Sequence, residues 1–243
     1  MFKHKGEGRS FSDNLKLASL LSFVAGMVNV AGFLAVQRLT TNVTGHFAFF
    51  VDEVFKLNFY QGFAYFLYIF FFFLGSFSSG FLIELIHKQK GNYVFVFPAA
   101  LESFILLGVA FAGKYIILSH PDVIAFALLF AMGLQNSFVT TISNAVVRTT
   151  HLTGLFTDLG IELSQLFFFK EREQKQKLQQ SIRLRLAIIS FFFVGGVLGG
   201  VLYSFVQLYV LSFAAIALII GITYDSLKLR LILLSRSYQA NSK

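Results

Sequence analysis

The chain has no cysteine, few charges and no familiar catalytic signature, and each absence removes a class of function. Without cysteine there are no disulfides, no thiolate metal sites and no cysteine nucleophile. No Gly-x4-Gly-Lys-Ser/Thr phosphate loop, no Gly-x-Ser-x-Gly elbow and no His-Glu-x-x-His pair occurs. Ser137 and Ser143 have no aligned histidine partner for lipid hydrolysis. The chain therefore reads as a non-enzyme that needs no cofactor. Charged residues make up 13% of its 243 residues, against about a quarter in a soluble globular chain.

Apolar residues stand where the charges are missing. Hydrophobic residues reach 56%, 33 of them phenylalanine, and the mean hydropathy is +0.71. Six apolar runs stand out: Leu15–Gln37, Tyr60–Ile86, Tyr93–Leu118, Val123–Val147, Ile182–Tyr203 and Ser204–Thr223. Each reaches the roughly 20 residues that a helix needs to cross about 30 Å of hydrocarbon. The runs are continuous rather than alternating, which excludes a β-barrel. The fold class expected is an all-α polytopic membrane protein, with about six long spans and two short helices beside them.

The net charge of +8 is distributed as in cytoplasmic loops beside a bilayer, not as in a nucleic-acid surface. With the amino terminus inside, every Lys and Arg except Arg38, Lys56 and Lys114 falls on the cytoplasmic side of six spans. Both termini are then cytoplasmic. Residues 1–14 read as a basic tail, and Leu15–Gln37 is too long for a signal-peptide core. Segments Val43–Leu57 and Leu152–Phe169 could add two crossings. Length and polarity favour six, because Val43–Leu57 holds His46, Asp52, Glu53 and Lys56, and each such group at bilayer depth costs about 2.5–3.5 kcal/mol.

A constellation appears twice, about 110 residues apart. The first copy reads Gly26-x-x-Asn29, Thr41-x-x-Thr44-Gly45, Glu53 and Phe71-Phe72-Phe73-x-Gly75-x4-Gly80. The second reads Gly133-x-x-Asn136, Thr150-x-x-Thr153-Gly154, Glu162 and Phe191-Phe192-Phe193-x-Gly195-x4-Gly200. The division expected is a first membrane repeat over 15–118 and a second over 119–234. The second contains a polar cytoplasmic segment at 170–181, and a tail follows at 235–243. Three spans per half would place the copies in opposite orientation, as in many secondary transporters.

The Gly-x-x-Asn spans, the short Thr-Gly helices, Gln135-Asn136 and Thr153-Gly154-x-x-Thr157-Asp158-Leu159-Gly160 together resemble the YoaK-like family of bacterial multispan membrane proteins. The resemblance runs from about Leu15 to Leu234. It implies a bacterial plasma-membrane location and a fold of six to eight spans, but no reaction. Two positions depart from the family pattern: His46 follows Gly45 where Asn is expected, and Asn29 stands where Asp is common.

Both Thr-Gly segments read as helix starts, with capped first turns and amides suited to an anion or a carbonyl. Two uses are open for Asn29 and Asn136, interhelical hydrogen bonding and solute contact. Gln135, Asn136, Thr140 and Ser143 share one helical face by spacing. Intramembrane carboxylates are candidates by default, above all Glu102 near the middle of its run. The small-xxx-small pairs at Gly75/Ser79, Ser76/Gly80, Gly195/Gly199 and Gly196/Gly200 point to close packing. That packing joins either the two equivalent spans or two copies in a homodimer.

The resulting expectation is a small secondary transporter or permease of a polar solute, possessed of no nucleic-acid partner and embedded in lipid. Solute contacts would come from Asn29, Thr41, Thr44, Gly45, Gln135, Asn136, Thr140, Thr153, Gly154 and Asp158. Glu53, Glu102 and Glu162 would handle a proton. The alternative is a non-transporting assembly or regulatory protein whose repeats serve packing alone.

Overall fold

The computed structural model describes residues 9–87, 94–169 and 171–224. These form α1 (Phe11–Val36), α2 (Val43–Phe55), α3 (Phe59–His87), α4 (Val96–Ile116), α5 (Pro121–Ser143), α6 (Leu152–Gln165), α7 (Arg172–Val206), a 3-10 turn at Gln207–Tyr209, and α8 over 210–224. There is no β-strand among the described residues. Residues 1–8 of the expected basic tail, Tyr93 of the third apolar run, Lys170, residues 225–234 of the expected second repeat and the expected tail 235–243 lie outside them.

Five helical runs are long and apolar enough to cross a membrane: α1, α3, α4, α5 and Arg172–Tyr224. The last is 53 residues long, more than twice a single span. It breaks where Gln207 takes φ 52° at the end of α7. Val210, Leu211, Ala214, Ala215 and Leu218 of α8 are fully buried in the main core, so the chain turns back into the bundle. Sequence and structure differ at three edges. Helix α1 starts at Phe11 because Ser10 caps it, accepting a hydrogen bond from the Asp13 amide. Helix α5 stops at Ser143, where Asn144 and Ala145 take positive φ. Helix α7 starts at Arg172, so most of the polar 170–181 segment is the first part of this long helix. Helices α2 and α6, of 13 and 14 residues, are about 20 Å long, too short to span.

Two parallel helix pairs form the frame. Helices α1 and α7 run side by side, with Phe23 against Gly195, Gly26 against Phe192, and Met27 against Gly199. Helices α3 and α5 do the same, with Gly75 against Phe130 and Gly133 against Phe72. The pairs are antiparallel to one another, since Gln135 reaches the Leu21 carbonyl and Gly32 touches Leu128. Lipid offers apolar helices no hydrophobic reason to associate, so contact depends on how closely two backbones approach. Here the approach is limiting. A Cβ on Gly26 would lie 2.0 Å from the Phe192 carbonyl oxygen, and one on Gly195 would lie 2.0 Å from that of Phe23. The matching distances are 2.2 Å for Gly133 to the Phe72 oxygen and 2.1 Å for Gly75 to that of Phe130. Ser76 adds a hydrogen bond from Oγ to the Gly133 carbonyl at 3.1 Å.

Within the chain, the small residues do not join the two equivalent spans. Helices α3 and α7 make no contact among the described residues. Each glycine-rich helix packs on the Gly-x-x-Asn helix of the other half. The phenylalanines mostly face outward. Phe63, Phe66, Phe70, Phe73, Phe77 and Phe81 run down the exposed side of α3, and several neighbours stack ring on ring. Such a stripe is stable against acyl chains and not against water.

Leucine at Gly26 or Gly133 should lower stability by about 2–4 kcal/mol, because the obstacle is backbone that cannot rotate away. Gly108→Ala should be neutral or mildly stabilising, since nothing lies within 4 Å of its added carbon. Thermal unfolding of the purified variants in detergent separates the two outcomes.

Candidate functional site

Each half folds its short helix inward before sending it out again. After Gln37 ends α1 with φ 52°, the chain doubles back along that helix. Thr40 Oγ1 donates to the Val28 carbonyl at 3.3 Å, and Thr41 Oγ1 donates to Asn29 Oδ1 at 2.7 Å. Helix α2 thus begins beside Asn29, about 10 Å below the end of α1, and leaves antiparallel to α3, with Phe49 on Tyr65 and Phe50 on Phe66. In the other half Gln135 Nε2 donates to Thr149 Oγ1 at 3.0 Å, and Thr150 Oγ1 donates to Asn136 Oδ1 at 2.8 Å. Helix α6 begins there and leaves antiparallel to α7 on the opposite side of the bundle.

The Thr-Gly residues themselves serve this turn. The Gly45 amide is used, donating to Asn42 Oδ1 at 2.9 Å. Gly45 makes room for Leu39, and Gly154 for the ring of His151. Thr44, Thr153 and Thr140 are exposed, so Thr140 turns away from the face it was expected to share with the buried Gln135 and Ser143. The two helix starts are held by Asn29 and Asn136 of their own halves and do not pair with each other. On the antiparallel α1–α5 register, Asn29 and Asn136 are separated by about 12 Å in depth.

Polar groups gather in three places. At the end where α1 and α4 finish, Tyr68 donates a hydrogen bond to Asp122 and accepts one from Arg38 Nε at 3.2 Å. His46 stacks on Tyr68 at 4.6 Å. Its Nε2 meets the Leu39 carbonyl at 2.6 Å, which requires a proton on that nitrogen, and burial holds the ring below its ordinary pKa. Glu53 sits at this end too, accepting from the Asn58 amide at 2.7 Å.

At the other end, Arg185 joins α7 to α6. Its Nε donates to Glu162 at 2.8 Å and its Nη1 reaches Asp158 at 2.9 Å, while Ser181 donates to Glu162 at 2.6 Å. A cavity of about 450 Å3 lies beside these groups, lined by Arg148, His151, Gly154, Asp158, Ser181 and Arg185 among others. It brings the expected Gly154 and Asp158 together in one recess. Glu53 and Glu162 occupy matching sequence positions, but their partners differ, an amide for one and a guanidinium for the other.

The third place is the core. Glu102 on α4 is fully buried, and neither carboxylate oxygen has a hydrogen-bond partner among the described residues. Gln135 is also fully buried, with both Nε2 protons committed, to Leu21 and Thr149, and Oε1 free. Sequence reasoning singled out Glu102 and Gln135 but missed Arg185, Ser181, Arg38 and Tyr68. Arg185 did carry a signal, a fixed charge inside a run that goes on as a spanning helix. Tyr68 carried none, since a tyrosine in an aromatic run looks like any other.

A helical multi-pass integral membrane protein, with two short helices folded inward from opposite sides, is the class that this architecture defines. The chain belongs to the family described as Protein of unknown function (DUF1275), whose model matches residues 17–224. It is 26% identical over 185 residues to the UPF0700 transmembrane protein YoaK of Bacillus subtilis (strain 168), covering 72% of this chain and 78% of that one. The YoaK-like resemblance read from the motifs is borne out. No solved structure matches.

Thr41→Val and Thr150→Val should each cost about 1 kcal/mol, since each removes the partner of a half-buried asparagine oxygen. Thr44→Val and Thr153→Val should stay within about 0.5 kcal/mol. Equal losses in all four, measured by thermal unfolding, would contradict the assignment of Thr41 and Thr150 as the anchors.

Proposed function

We propose that this protein is a small secondary transporter of a polar solute, coupled to protons through Glu102. The observation that carries the reading is a fully buried carboxyl with no partner among the described residues. A lone carboxylate in a low-dielectric interior costs several kcal/mol, so this group must be neutralised, and a proton does so most simply. A fold that needed only stability would have no use for it, because an apolar residue of similar size would serve better.

The frame supports the same reading. The Gly26/Gly195 crossing recurs as Gly133/Gly75, and α1 and α5 run in opposite directions. Two halves related as an inverted repeat explain both facts, and such halves can alternate between outward and inward openings. The recess at Arg148, His151, Asp158 and Arg185 is then the cytoplasmic vestibule, with Gln135, Asn136 and Asn29 further along the route. The bulk of the basic residues supports a cytoplasmic side for this end and for both termini, in a bacterial plasma membrane. A second reading, a non-transporting assembly or regulatory protein, is favoured by one observation. The Thr41–Asn29 and Thr150–Asn136 bonds occupy both asparagine oxygens without a solute.

In proteoliposomes carrying a lumenal pH dye, adding the transported solute from a panel of amino acids, sugars and small organic acids should acidify the lumen. Glu102→Gln should reduce that proton movement at least tenfold while leaving the protein folded. Unchanged acidification in the variant would remove Glu102 from the mechanism. No flux with any panel member, together with co-purification of one partner, would support the second reading. Reporter fusions after Leu57 and after Lys90 should report outside and inside respectively, as six crossings require, and eight would reverse both.

A further inference from the structure

The fold positions Arg148 and leaves it without a partner. Its two neighbours in the chain, Val147 and Thr149, are fully buried. The Val147 amide donates to Ser143 Oγ at 3.0 Å, and Thr149 Oγ1 accepts from Gln135 Nε2 at 3.0 Å. The backbone between these anchors is fixed, and it carries Arg148 to the wall of the recess of about 450 Å3 shared by the α5–α6 loop, α6 and α7. Arg148 makes no hydrogen bond or ion pair among the described residues. Asp158 lines the same recess, yet the two charges are held apart.

The wall made by α6 and α7 carries the opposite charge, because two carboxylates there share one guanidinium. Glu162 has both oxygens occupied, by Arg185 Nε at 2.8 Å and by Ser181 Oγ at 2.6 Å. Asp158 gives only Oδ2 to Arg185 Nη1. Its Oδ1 has no hydrogen bond among the described residues, and its side chain is about half exposed. This wall therefore has one negative charge in excess, against the one positive charge of Arg148. With His151 neutral the recess sums to zero, but it has two poles.

A bare anion would meet Arg148 and be opposed by the surplus carboxylate, and a bare cation would meet Asp158 and be opposed by Arg148. A ligand that carries both charges matches both poles and leaves the sum at zero. A guanidinium takes a carboxylate or phosphate through two parallel N–H bonds, and a carboxylate oxygen accepts from an ammonium. The open first turn of α6, which no side chain caps, adds its amides to the positive pole. These charges are not required for folding a short helix inward. At the matching positions of the first half, counted from the two threonine pairs, Leu39 stands for Arg148 and Phe49 for Asp158.

We propose that this recess binds a small zwitterion, with Arg148 on its oxyanion and Asp158 on its primary ammonium. Its volume falls within the roughly 300–1,000 Å3 of small-molecule sites. Amino acids have this chemistry, and so does the headgroup of phosphatidylethanolamine. The inference deepens the transport reading and rests on it for the choice of a free amino acid as the solute.

The test is thermal unfolding of the purified full chain in detergent, titrated with alanine, serine, glutamine and leucine, and with propionate and propylammonium as the two half-ligands. At least one amino acid should raise Tm at concentrations where neither half-ligand does. Arg148→Gln should weaken that binding at least about tenfold while leaving Tm without ligand nearly unchanged, since the side chain has no partner to lose. Asp158→Asn should weaken the amino acid similarly and make propionate bind, because the recess then carries a net positive charge. Equal shifts from propionate and the amino acid in the unaltered protein, or an amino-acid shift unchanged by Arg148→Gln, would overturn the site. If no amino acid shifts Tm, the headgroup is the remaining source. Nanodiscs of phosphatidylethanolamine should then stabilise the protein over phosphatidylcholine, whose ammonium has no N–H, and Arg148→Gln should erase the difference; without that difference the inference falls. Glu102-dependent proton movement with a sugar, beside no zwitterion effect, sinks this inference and leaves the transport reading standing. Arg148-dependent amino-acid binding with no flux in liposomes does the reverse.

Discussion

Everything in this bundle depends on two places where one helix backbone lies directly on another. At the α1–α7 crossing Gly26 and Gly195 face the carbonyls of Phe192 and Phe23, and at the α3–α5 crossing Gly133 and Gly75 face those of Phe72 and Phe130. Acyl chains are as apolar as leucine, so the bundle gains its cohesion from contacts that lipid cannot match, namely backbone-to-backbone dispersion and weak hydrogen bonding. A single added carbon at any of the four glycines would separate the axes. The crossings also decide connectivity, because each joins a helix of one half to a helix of the other. Neither half can be removed without dismantling both pairs.

That interlock creates the conditions for the polar chemistry. With α1 clamped to α7 and α5 to α3, the stretches after α1 and α5 have a rigid wall to fold back along. Paired threonines hold them there, Thr40 and Thr41 on one side and Thr149 and Thr150 on the other. Irregular backbone at membrane depth survives only where protein shields it. Between the clamped pairs, α4 closes against α5 and delivers Glu102 to the depth of Gln135. The Glu102 carboxyl is thereby buried away from every salt bridge among the described residues. The ion pairs sit elsewhere, at the two ends, where Arg38 meets Asp122 and Tyr68 and where Arg185 ties α6 to α7.

Much of the frame was legible because bilayer physics is one-dimensional. Hydrophobic length located the first four spans to within a few residues, with Ser10 setting the start of α1. Helix α7, in contrast, begins well before its apolar run, at Arg172, and α8 starts only after the break at Gln207. The repeated glycines were visible, and their role as packing surfaces held. Their partners were not visible, since spacing shows which residues share a face but not which helix that face meets. The Thr-Gly motif was read too literally. Its glycine and second threonine attract attention, yet the anchoring falls to the preceding threonine pair, and Thr44 and Thr153 point outward.

The amino-acid sequence by itself determined that this is a helical, multi-pass membrane protein of the DUF1275 family, duplicated in its motifs and marked by a carboxyl at Glu102. Those properties follow from composition, length and local order, which need no knowledge of neighbours. Only the tertiary structure decided that Gly26 packs on α7 instead of its own half, that Asn29 and Asn136 serve the returning loops, and that Arg148 shares a recess with Arg185. The physical reason is that these depend on the register between helices far apart in the chain. That register is set by how closely a glycine lets one backbone settle on another.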